Sequence, residues 1–235
     1  MDFSKQFDKI KDSVVNICVL NNAEEKKIIS SGSGVLIGDG TKIITCSHCI
    51  KPNLLNIVRF SGQNNAQKCK IIFNDSKIDI AILEVEKSLG KGVSIRDSSS
   101  VMIGQEAFVV GFPLNIKKIT ALSANIAGFE PLNNFQLIRI DASINHGNSG
   151  GPLFNEDGDL IGIVNAKHGP LSYILTELQH AKEKDIELMG NDNLVKLILF
   201  LIRQMQRNLN LGIGYAIPMN AVGDSVEFVK SLIQK

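Results

Sequence analysis

A glycine-rich loop around Ser149 is the stretch of this sequence best suited to carry out chemistry. Residues 145–153 read NHGNSGGPL, which places one hydroxyl among glycines and turn-forming residues directly before an apolar segment. Glycines allow positive φ angles and close approach of a second segment, so several backbone N–H groups can point toward the serine. An acyl-transfer nucleophile needs such donors, aimed at the oxygen that becomes negative when a carbonyl is attacked. A plain glycine-rich β-turn is the alternative interpretation.

A serine nucleophile also needs a base within hydrogen-bond reach, and histidine is the usual base. The chain has four histidines. His48 ends a strand-like apolar run and leads into a turn, which is a suitable place for a catalytic imidazole. His146 lies inside the serine loop and is expected to face solvent, whereas His168 and His180 fall in or beside a segment of helical periodicity.

Asp79 is the candidate partner of that base. It stands at the head of the otherwise apolar run 80–83, where burying a carboxylate costs several kcal/mol unless another group pairs with it. A turn residue that initiates a strand is the alternative interpretation. His48, Asp79 and Ser149 follow one another in the chain order of two-barrel serine proteases.

Several motifs in the same order strengthen this pattern. The chain resembles the trypsin-like (chymotrypsin-fold) serine proteases, most closely the protease domain of the HtrA/Deg group, and no PDZ-like module is recognisable. The motifs that carry the resemblance are GSGVLI at 32–37, TCSHC at 45–49, DIAIL at 79–83, GFP at 111–113, DASINHGNSGGPLFN at 141–155, GDLIGIVNA at 158–166 and GIGYAIP at 212–218.

The resemblance implies a role for each residue of the site. Ser149 corresponds to the nucleophile, His48 to the general base and then acid, and Asp79 to the group that holds the imidazole tautomer. The oxyanion hole is expected from the backbone N–H groups of Gly147 and Ser149, with Asn148 shaping the loop. No metal or organic cofactor is implied.

The specificity pocket departs from the family pattern. The segment 164–167 aligns with the strand that pairs with the substrate backbone, which places Asn165, Ala166 and Lys167 among the substrate-binding residues. Ile144 and Ala166 are expected to line the pocket. HtrA-like relatives usually have an aliphatic residue where Lys167 stands. Its side chain could turn away and leave the pocket apolar, or its charge could favour an acidic substrate residue. Ser143 occupies the pocket base, which argues against a trypsin-like preference for Lys or Arg.

Short β-type segments dominate the chain and occur in two sets of six. Such sets predict an all-β fold of two six-stranded antiparallel β-barrels, with a cleft between them. The first barrel is expected at about 12–90 and the second at about 101–218. The first set comprises 13–20, 32–38, 42–50, 55–60, 67–74 and 79–86; the second comprises 106–112, 118–129, 135–143, 151–155, 160–167 and 212–218.

The remaining segments connect or flank these barrels, and we expect one domain over 1–235. Polar residues 87–100 predict a linker, and the spacing of apolar residues predicts a short helix over 2–11 and another over 219–235. Residues 169–210 show helical periodicity and interrupt the second strand set. This helical insertion would emerge beside the specificity pocket, where it could gate substrates, mediate self-association, rest on a membrane surface, or simply pack on its own barrel.

Composition excludes some functions. The 25 basic and 24 acidic side chains nearly cancel, so the chain offers no basic face for nucleic acid. The N-terminus lacks the features of a secretory signal, and the longest apolar run, 197–202, is too short to span a bilayer. Cys46 and Cys49 resemble half of a zinc site without a second pair. We therefore expect free thiols and a cytoplasmic location, with export by a route without a cleaved signal as the alternative.

Two classes of function fit the sequence. The first is a serine endopeptidase that acts on protein or peptide substrates. The second is a protease-fold module that binds peptides or serves as a scaffold with little turnover. An esterase-type hydrolase with the same residues is a third, weaker alternative.

Overall fold

The computed structural model describes residues 2–21, 27–63, 65–113, 117–132, 134–165 and 212–234, together with the single position 198. Within these ranges two β-sheets account for most of the structure. The first sheet is antiparallel, with the strand order β5-β4-β1-β2-β3-β7-β6. Its strands are β1 (Val14–Leu20), β2 (Ile28–Ile37), β3 (Lys42–Cys46), β4 (Leu55–Arg59), β5 (Gln67–Lys68), β6 (Lys70–Asp75) and β7 (Ile80–Glu84).

The second sheet contains a closed six-stranded barrel. Its strands are β9 (Glu106–Gly111), β10 (Thr120–Leu132), β11 (Phe135–Ile140), β12 (Pro152–Asn155), β13 (Leu160–Val164) and β14 (Gly214–Pro218). They pair in the order β12-β9-β10-β11-β14-β13, and a further antiparallel pairing of β13 with β12 closes the ring. These strands agree with the six predicted for the second barrel.

The first sheet has a strand in each segment predicted for the first barrel, although β2 begins earlier, at Ile28, β3 ends earlier, at Cys46, and one segment is divided. The segment expected as a single strand over 67–74 is divided at Cys69 into β5, which pairs with β4, and β6, which pairs with β7. The two edge strands of the sheet are therefore consecutive in the chain, and the Cys69 N–H still donates to the Asn56 carbonyl oxygen at 3.1 Å. The barrel bends at this point instead of running through one straight strand.

A shared apolar core holds the two sheets together. Val35 and Ile44 of the first sheet belong to the same buried cluster as Phe108 and Phe154 of the second. The rings of Phe108 and Phe154 stack with centroids 5.2 Å apart, and Phe3 stacks on Phe108 at 4.7 Å. Burying rings of this size contributes strongly to stability, so these contacts help to fix the two sheets against each other.

The helices differ from the sequence prediction in length. The N-terminal helix α1 covers Ser4–Ile10 and continues as a 3₁₀ turn over Lys11–Ser13. The predicted C-terminal helix is divided into α2 (Met219–Ser225) and α3 (Glu227–Leu232), because Val226 between them has extended backbone angles. Strand β15 (Ile233–Gln234) follows α3.

The segment expected as a linker is partly structured. Within 87–100 the chain forms β8 (Ile95–Arg96), which pairs in parallel with β13 and β15, and a 3₁₀ turn over Ser98–Ser100 begins the crossing to the second barrel. The predicted helical insertion, 169–210, lies outside the described residues except for position 198. Within the described ranges, no helix has the length and apolar character needed to cross a bilayer.

Candidate active site

Two neighbouring strands bring His48 and Asp79 together. Strand β3 ends at Cys46, and His48 follows in a single 3₁₀ turn over Ser47–Cys49. Asp79 stands immediately before β7, whose first residue Ile80 pairs with Cys46. The Ser47 N–H also donates to the Asp79 carbonyl oxygen at 3.1 Å. The antiparallel register of β3 and β7 therefore sets the separation of the imidazole and the carboxylate.

The Asp79 carboxylate accepts three hydrogen bonds. Oδ2 lies 2.6 Å from His48 Nδ1 and accepts from Asn165 Nδ2 at 2.9 Å, while Oδ1 accepts from the His48 backbone N–H at 3.0 Å. Asp79 is also the only non-glycine residue of the described ranges with a positive φ, at 56°. Such a conformation costs about 1–3 kcal/mol and persists only where surrounding contacts enforce it. The largely buried carboxylate, with 14% of its side chain exposed, thus has hydrogen-bond partners for both oxygens.

The electrostatic environment keeps a proton on His48. Burial alone lowers the pKa of this imidazole, but the hydrogen bond to Asp79 and the neighbouring Cys49 sulfur raise the pKa to about 9. Because the Nδ1–H is directed at Asp79, the other ring nitrogen, Nε2, is the one available to accept a proton.

Ser149 lies in a loop that contacts both barrels. Its carbonyl oxygen accepts from the Ser33 N–H of β2 at 2.8 Å and lies 3.5 Å from Cys49 Sγ, the residue next to His48. The following Gly150 N–H donates to the Val164 carbonyl oxygen of β13 at 2.8 Å. The structure thus brings the serine loop against the turn that carries His48.

The loop backbone leaves one predicted oxyanion donor unoccupied. The Asn148 N–H donates to the Asn145 carbonyl oxygen at 3.0 Å, so it stabilises the turn. Gly147 has φ 96°, and its N–H donates to no acceptor within the part of the chain that the structure describes. Among the three residues assigned to the oxyanion hole, the Asn148 N–H is thus used within the turn, and the donor roles of Gly147 and Ser149 stay predictions.

Comparison with known proteins agrees with this arrangement. Residues 32–163 match the family model of the trypsin-like peptidase domain, which is more than half of the chain. This chain belongs to the trypsin-like peptidase family. The matched residues contain His48, Asp79 and Ser149.

Relatives of the HtrA/Deg type show the same similarity. The chain is 32% identical over 149 residues to "Protease Do-like 2, chloroplastic" of Arabidopsis thaliana, covering 60% of this chain and 24% of that protein. It is 32% identical over 142 residues to a "Probable periplasmic serine endoprotease DegP-like" of Pseudomonas fulva, covering 59% and 29%. It is 33% identical over 154 residues to "Serine protease HtrA-like" of Staphylococcus aureus, covering 58% and 20%. The aligned part is thus less than a third of each relative.

A solved structure shows the same fold. The serine endoprotease from Yersinia pestis superposes with a TM-score of 0.70 at 23% sequence identity. The superposition covers 97% of this chain and 66% of that one. The trypsin-like two-barrel fold predicted from the sequence is confirmed.

The predicted specificity residues of this trypsin-like domain are only partly described. Ile144 is half-buried and packs against the core of the second barrel, and Ser143 and His146 are exposed. The Asn165 N–H donates to the Tyr215 carbonyl oxygen at 2.8 Å, and its side chain contacts Asp79. Ala166 and Lys167, like His168 and His180, lie outside the described residues, so their roles stay predictions.

Sequence reasoning missed a group of residues that supports the serine loop. The Ser33 hydroxyl donates to the Gly147 carbonyl oxygen at 2.6 Å and accepts from the Phe112 N–H at 2.9 Å. Thr45 Oγ1 in turn donates to the Ser33 carbonyl oxygen at 2.7 Å. The signal was present in the GSG motif at 32–34, where a serine between two glycines interrupts an apolar strand. Asn165 was assigned to the substrate, and its contact with Asp79 was not foreseen.

Cys46, His48 and Asp79 could in principle hold a metal ion, since their donor atoms all lie within 4.8 Å of one another. The chemistry of the group does not favour one. Burial raises the pKa of the Cys46 thiol well above its ordinary value, and its Sγ lies 3.3 Å from the Val164 carbonyl oxygen. A thiolate ligand would need the deprotonated form that burial disfavours.

Gly150 cannot carry a side chain in this loop. Its φ is 80°, and a Cβ atom there would lie 2.2 Å from both the Ser33 carbonyl oxygen and Thr45 Oγ1. We expect Gly150→Ala to lower the free energy of unfolding by about 2–5 kcal/mol, from backbone strain and overpacking together. Denaturant titration measures the loss.

Gly62→Ala is the matched control. Gly62 has a similar φ of 70°, but nothing lies within 4 Å of its Cβ position. The control should therefore lose only about 1–2 kcal/mol from the left-handed backbone. Equal losses in the two variants would contradict the tight contact between the serine loop and the first barrel.

Proposed function

We propose that this trypsin-like domain is an HtrA-like serine endopeptidase that hydrolyses peptide bonds through an acyl-enzyme intermediate. The observation that carries the proposal is the 2.6 Å contact between His48 Nδ1 and the partly buried Asp79 carboxylate, beside a serine loop that both barrels contact. Catalysis needs such a base with a fixed tautomer. A peptide-binding or scaffold module has no need of it.

Each catalytic residue has a defined role in the proposed reaction. As the Ser149 Oγ attacks the carbonyl carbon of the scissile bond, His48 Nε2 accepts the hydroxyl proton, and the carbonyl oxygen becomes an oxyanion facing the N–H groups of Gly147 and Ser149. The C–N bond then breaks as His48 returns the proton to the leaving amine. Water, deprotonated by the same imidazole, then attacks the acyl carbon; the bond to Ser149 Oγ breaks, His48 returns the proton to Oγ, and the acid product leaves. Asp79 keeps the imidazole oriented throughout and stabilises its protonated form.

The substrates are proposed to be proteins or peptides bound in extended form along the segment 164–167. Asn165, Ala166 and Lys167 would pair with the acyl side of the substrate, with Ile144 and Ala166 lining the pocket for the residue before the cut. We favour an apolar pocket, with the Lys167 side chain turned away, over an acidic preference.

The wider organisation also belongs to this proposal. We infer one protease domain over 1–235, with the barrels at about 12–90 and 101–218. The proposed roles of the insertion at 169–210 are packing on its own barrel, gating of substrates, self-association or contact with a membrane surface. Four free cysteines, three of them buried, favour a reducing compartment such as the cytoplasm. The relatives include proteins named as periplasmic and chloroplastic, so fractionation of cells expressing the tagged protein is the appropriate check.

Mapping cuts in a peptide library derived from a proteome tests the proposed activity. Mass spectrometry should find new termini that are absent when the same library is incubated with Ser149→Ala. The residues before the cuts then report the pocket preference. Identical peptide populations in the two incubations would favour the binding or scaffold alternative.

The pKa of His48 predicts how activity depends on pH. Only the neutral imidazole accepts a proton, and its pKa is raised from 6.5 to about 9, so activity should be lost as pH falls through the raised value. In a kcat/KM profile with a neutral peptide, we expect a half-maximal point well to the alkaline side of 6.5. A half-maximal point at or below 6.5 would contradict the coupling of His48 to an ionised Asp79.

A further inference from the structure

Arg59 is the last residue of β4 and lies near the proposed site. Only some of the hydrogen-bond donors of its guanidinium have an acceptor among the described residues. Its Nε donates to Asn16 Oδ1 at 2.9 Å, and the side chain is half-buried. Among the described residues no carboxylate forms an ion pair with it. Arginine presents five donors in a planar fork that suits carboxylates, so the outer nitrogens remain available to a ligand.

A buried amide connects Arg59 to the strand that supports the nucleophile loop. Asn16 is only 2% exposed, and its Nδ2 donates to the Gly32 carbonyl oxygen at 2.9 Å and to Ser31 Oγ at 3.1 Å. Asn16 stands opposite both Ser33 and Arg59 in the sheet, and the Ser33 N–H donates to the Ser149 carbonyl oxygen. Because neighbouring strands are about 4.8 Å apart, the Arg59 backbone lies roughly 10 Å from the strand that contacts Ser149.

The surroundings place Arg59 on the side where the leaving group would lie. In the proposed binding mode the acyl part of the substrate follows the second-barrel segment 164–167, so the leaving amine extends across Ser149 toward β2 of the first barrel. The chain after Arg59 contacts the start of β10: the Gly62 N–H donates to the Lys117 carbonyl oxygen, and the Ile119 N–H donates to Ser61 Oγ. Lys117 and Lys118, both exposed, add positive charge next to this contact.

We propose that Arg59 binds a carboxylate of the substrate on the leaving-group side of the scissile bond. Three spacings of about 4.8 Å, from β4 through β1 and β2 to the Ser149 backbone, place the Arg59 backbone about 14 Å from the nucleophile, and its side chain shortens this distance because it turns toward Asn16 of β1. An extended peptide advances about 3.3 Å per residue, so the first three residues after the cut are the candidates. The carboxylate is supplied by an Asp or Glu side chain, or by the C-terminus of a short substrate. This inference rests on the proposed function, because it assigns the leaving-group side from the Ser149 mechanism.

Matched peptides test the proposal. A parent peptide found to be cut is varied to Glu, Gln or Lys at each of the three positions after the cut, and each version is made with a C-terminal acid and a C-terminal amide. In the wild type we expect kcat/KM to be about fivefold higher for the Glu peptide than for the Gln peptide at the favoured position, which is the effect of a partly exposed ion pair. This ratio should fall with added salt. A preference for the acid over the amide alone would identify the C-terminus as the carboxylate.

Variants separate binding from support of the fold. Arg59→Gln should bring the ratio of kcat/KM for the Glu and Gln peptides close to one, and Arg59→Lys should keep part of the wild-type ratio. Arg59→Glu should make the Lys peptide the better substrate. Arg139→Gln removes a half-exposed arginine of β11 that already faces Glu130 and should keep the wild-type ratio. A ratio near one in the wild type, or a ratio unchanged in Arg59→Gln, overturns the proposal.

Binding to the Ser149→Ala variant separates this inference from the proposed function. Fluorescence anisotropy of labelled Glu and Gln peptides reads the carboxylate preference without turnover. If the library yields no cut, Glu and Gln versions are made at each position of a peptide that Ser149→Ala binds. Tighter binding of a Glu version that is lost when Arg59→Gln is added then means that the proposed function fails while carboxylate binding by Arg59 stands. If peptides are cut and bound with no preference at any of the three positions, the role of Arg59 fails alone.

Discussion

Ser149→Ala should abolish peptide hydrolysis, with kcat lowered about 10⁴- to 10⁶-fold. The substitution removes the hydroxyl proposed to form the acyl-enzyme, while the Ser149 carbonyl oxygen that accepts from the Ser33 N–H is retained. His48→Ala should reduce the rate to a similar extent, because members of such a unit do not contribute additively. Steady-state turnover of a fluorogenic peptide measures both losses.

Folding must be preserved in these variants for the losses to be informative. Thermal unfolding followed by circular dichroism should give melting temperatures within a few degrees of the parent. Ser123→Ala is a suitable control, since Ser123 is an exposed serine of β10 in the same barrel, and it should retain parental turnover. Parental turnover by Ser149→Ala would show that another residue is the nucleophile.

Asp79→Asn should lower kcat about 10⁴-fold with little change in the fold. The Asp79 carboxylate accepts the His48 Nδ1–H, and an amide NH₂ in its place would force the other tautomer, leaving no lone pair on Nε2 for the Ser149 proton. The amide also removes the negative charge that stabilises the imidazolium. The pH profile of the remaining activity should move toward the ordinary histidine pKa of about 6.5.

Asn165→Ala is the comparison for this variant. It removes one of the three hydrogen bonds to the same carboxylate but leaves the charge and the His48 contact in place. We expect kcat to fall about tenfold, which corresponds to the loss of one hydrogen bond to a charged group. If Asn165→Ala lost as much activity as Asp79→Asn, the orienting role would belong to the amide network rather than to the carboxylate.

Local patterns predicted the strands of both barrels because the features that favour a strand are contained in a short segment of sequence. Apolar and β-branched runs between turn residues are sufficient to identify β1, β3 or β13, and six strands in each set imply closure. The same method misjudged the linker, because β8 consists of only two residues and is held by β13 and β15 rather than by its own pattern. It also joined α2 and α3, since an apolar helical spacing continues through the extended residue Val226.

The types and chain order of the residues were sufficient to choose the candidate catalytic residues. The side chains that hold these residues in place act through long-range contacts, which the sequence does not show. His48, Asp79 and Ser149 could be chosen because each stands at the end of a strand or in a glycine-rich loop. Ser33 could not, because its hydroxyl contacts the carbonyl oxygen of Gly147, 114 positions away. The contact of the Asn165 side chain with Asp79, 86 positions away, could not be predicted either, because the sequence does not show which acceptor a side chain reaches.

Labelling by a fluorophosphonate probe tests the central claim most directly. The probe phosphonylates a serine only when an adjacent base activates its hydroxyl. Tryptic mapping by mass spectrometry should place one adduct on Ser149 in the parent protein, with no adduct in Ser149→Ala and strongly reduced labelling in His48→Ala. Absence of an adduct on Ser149 in the folded parent protein, or equal labelling when His48 is removed, would contradict a serine activated by this histidine.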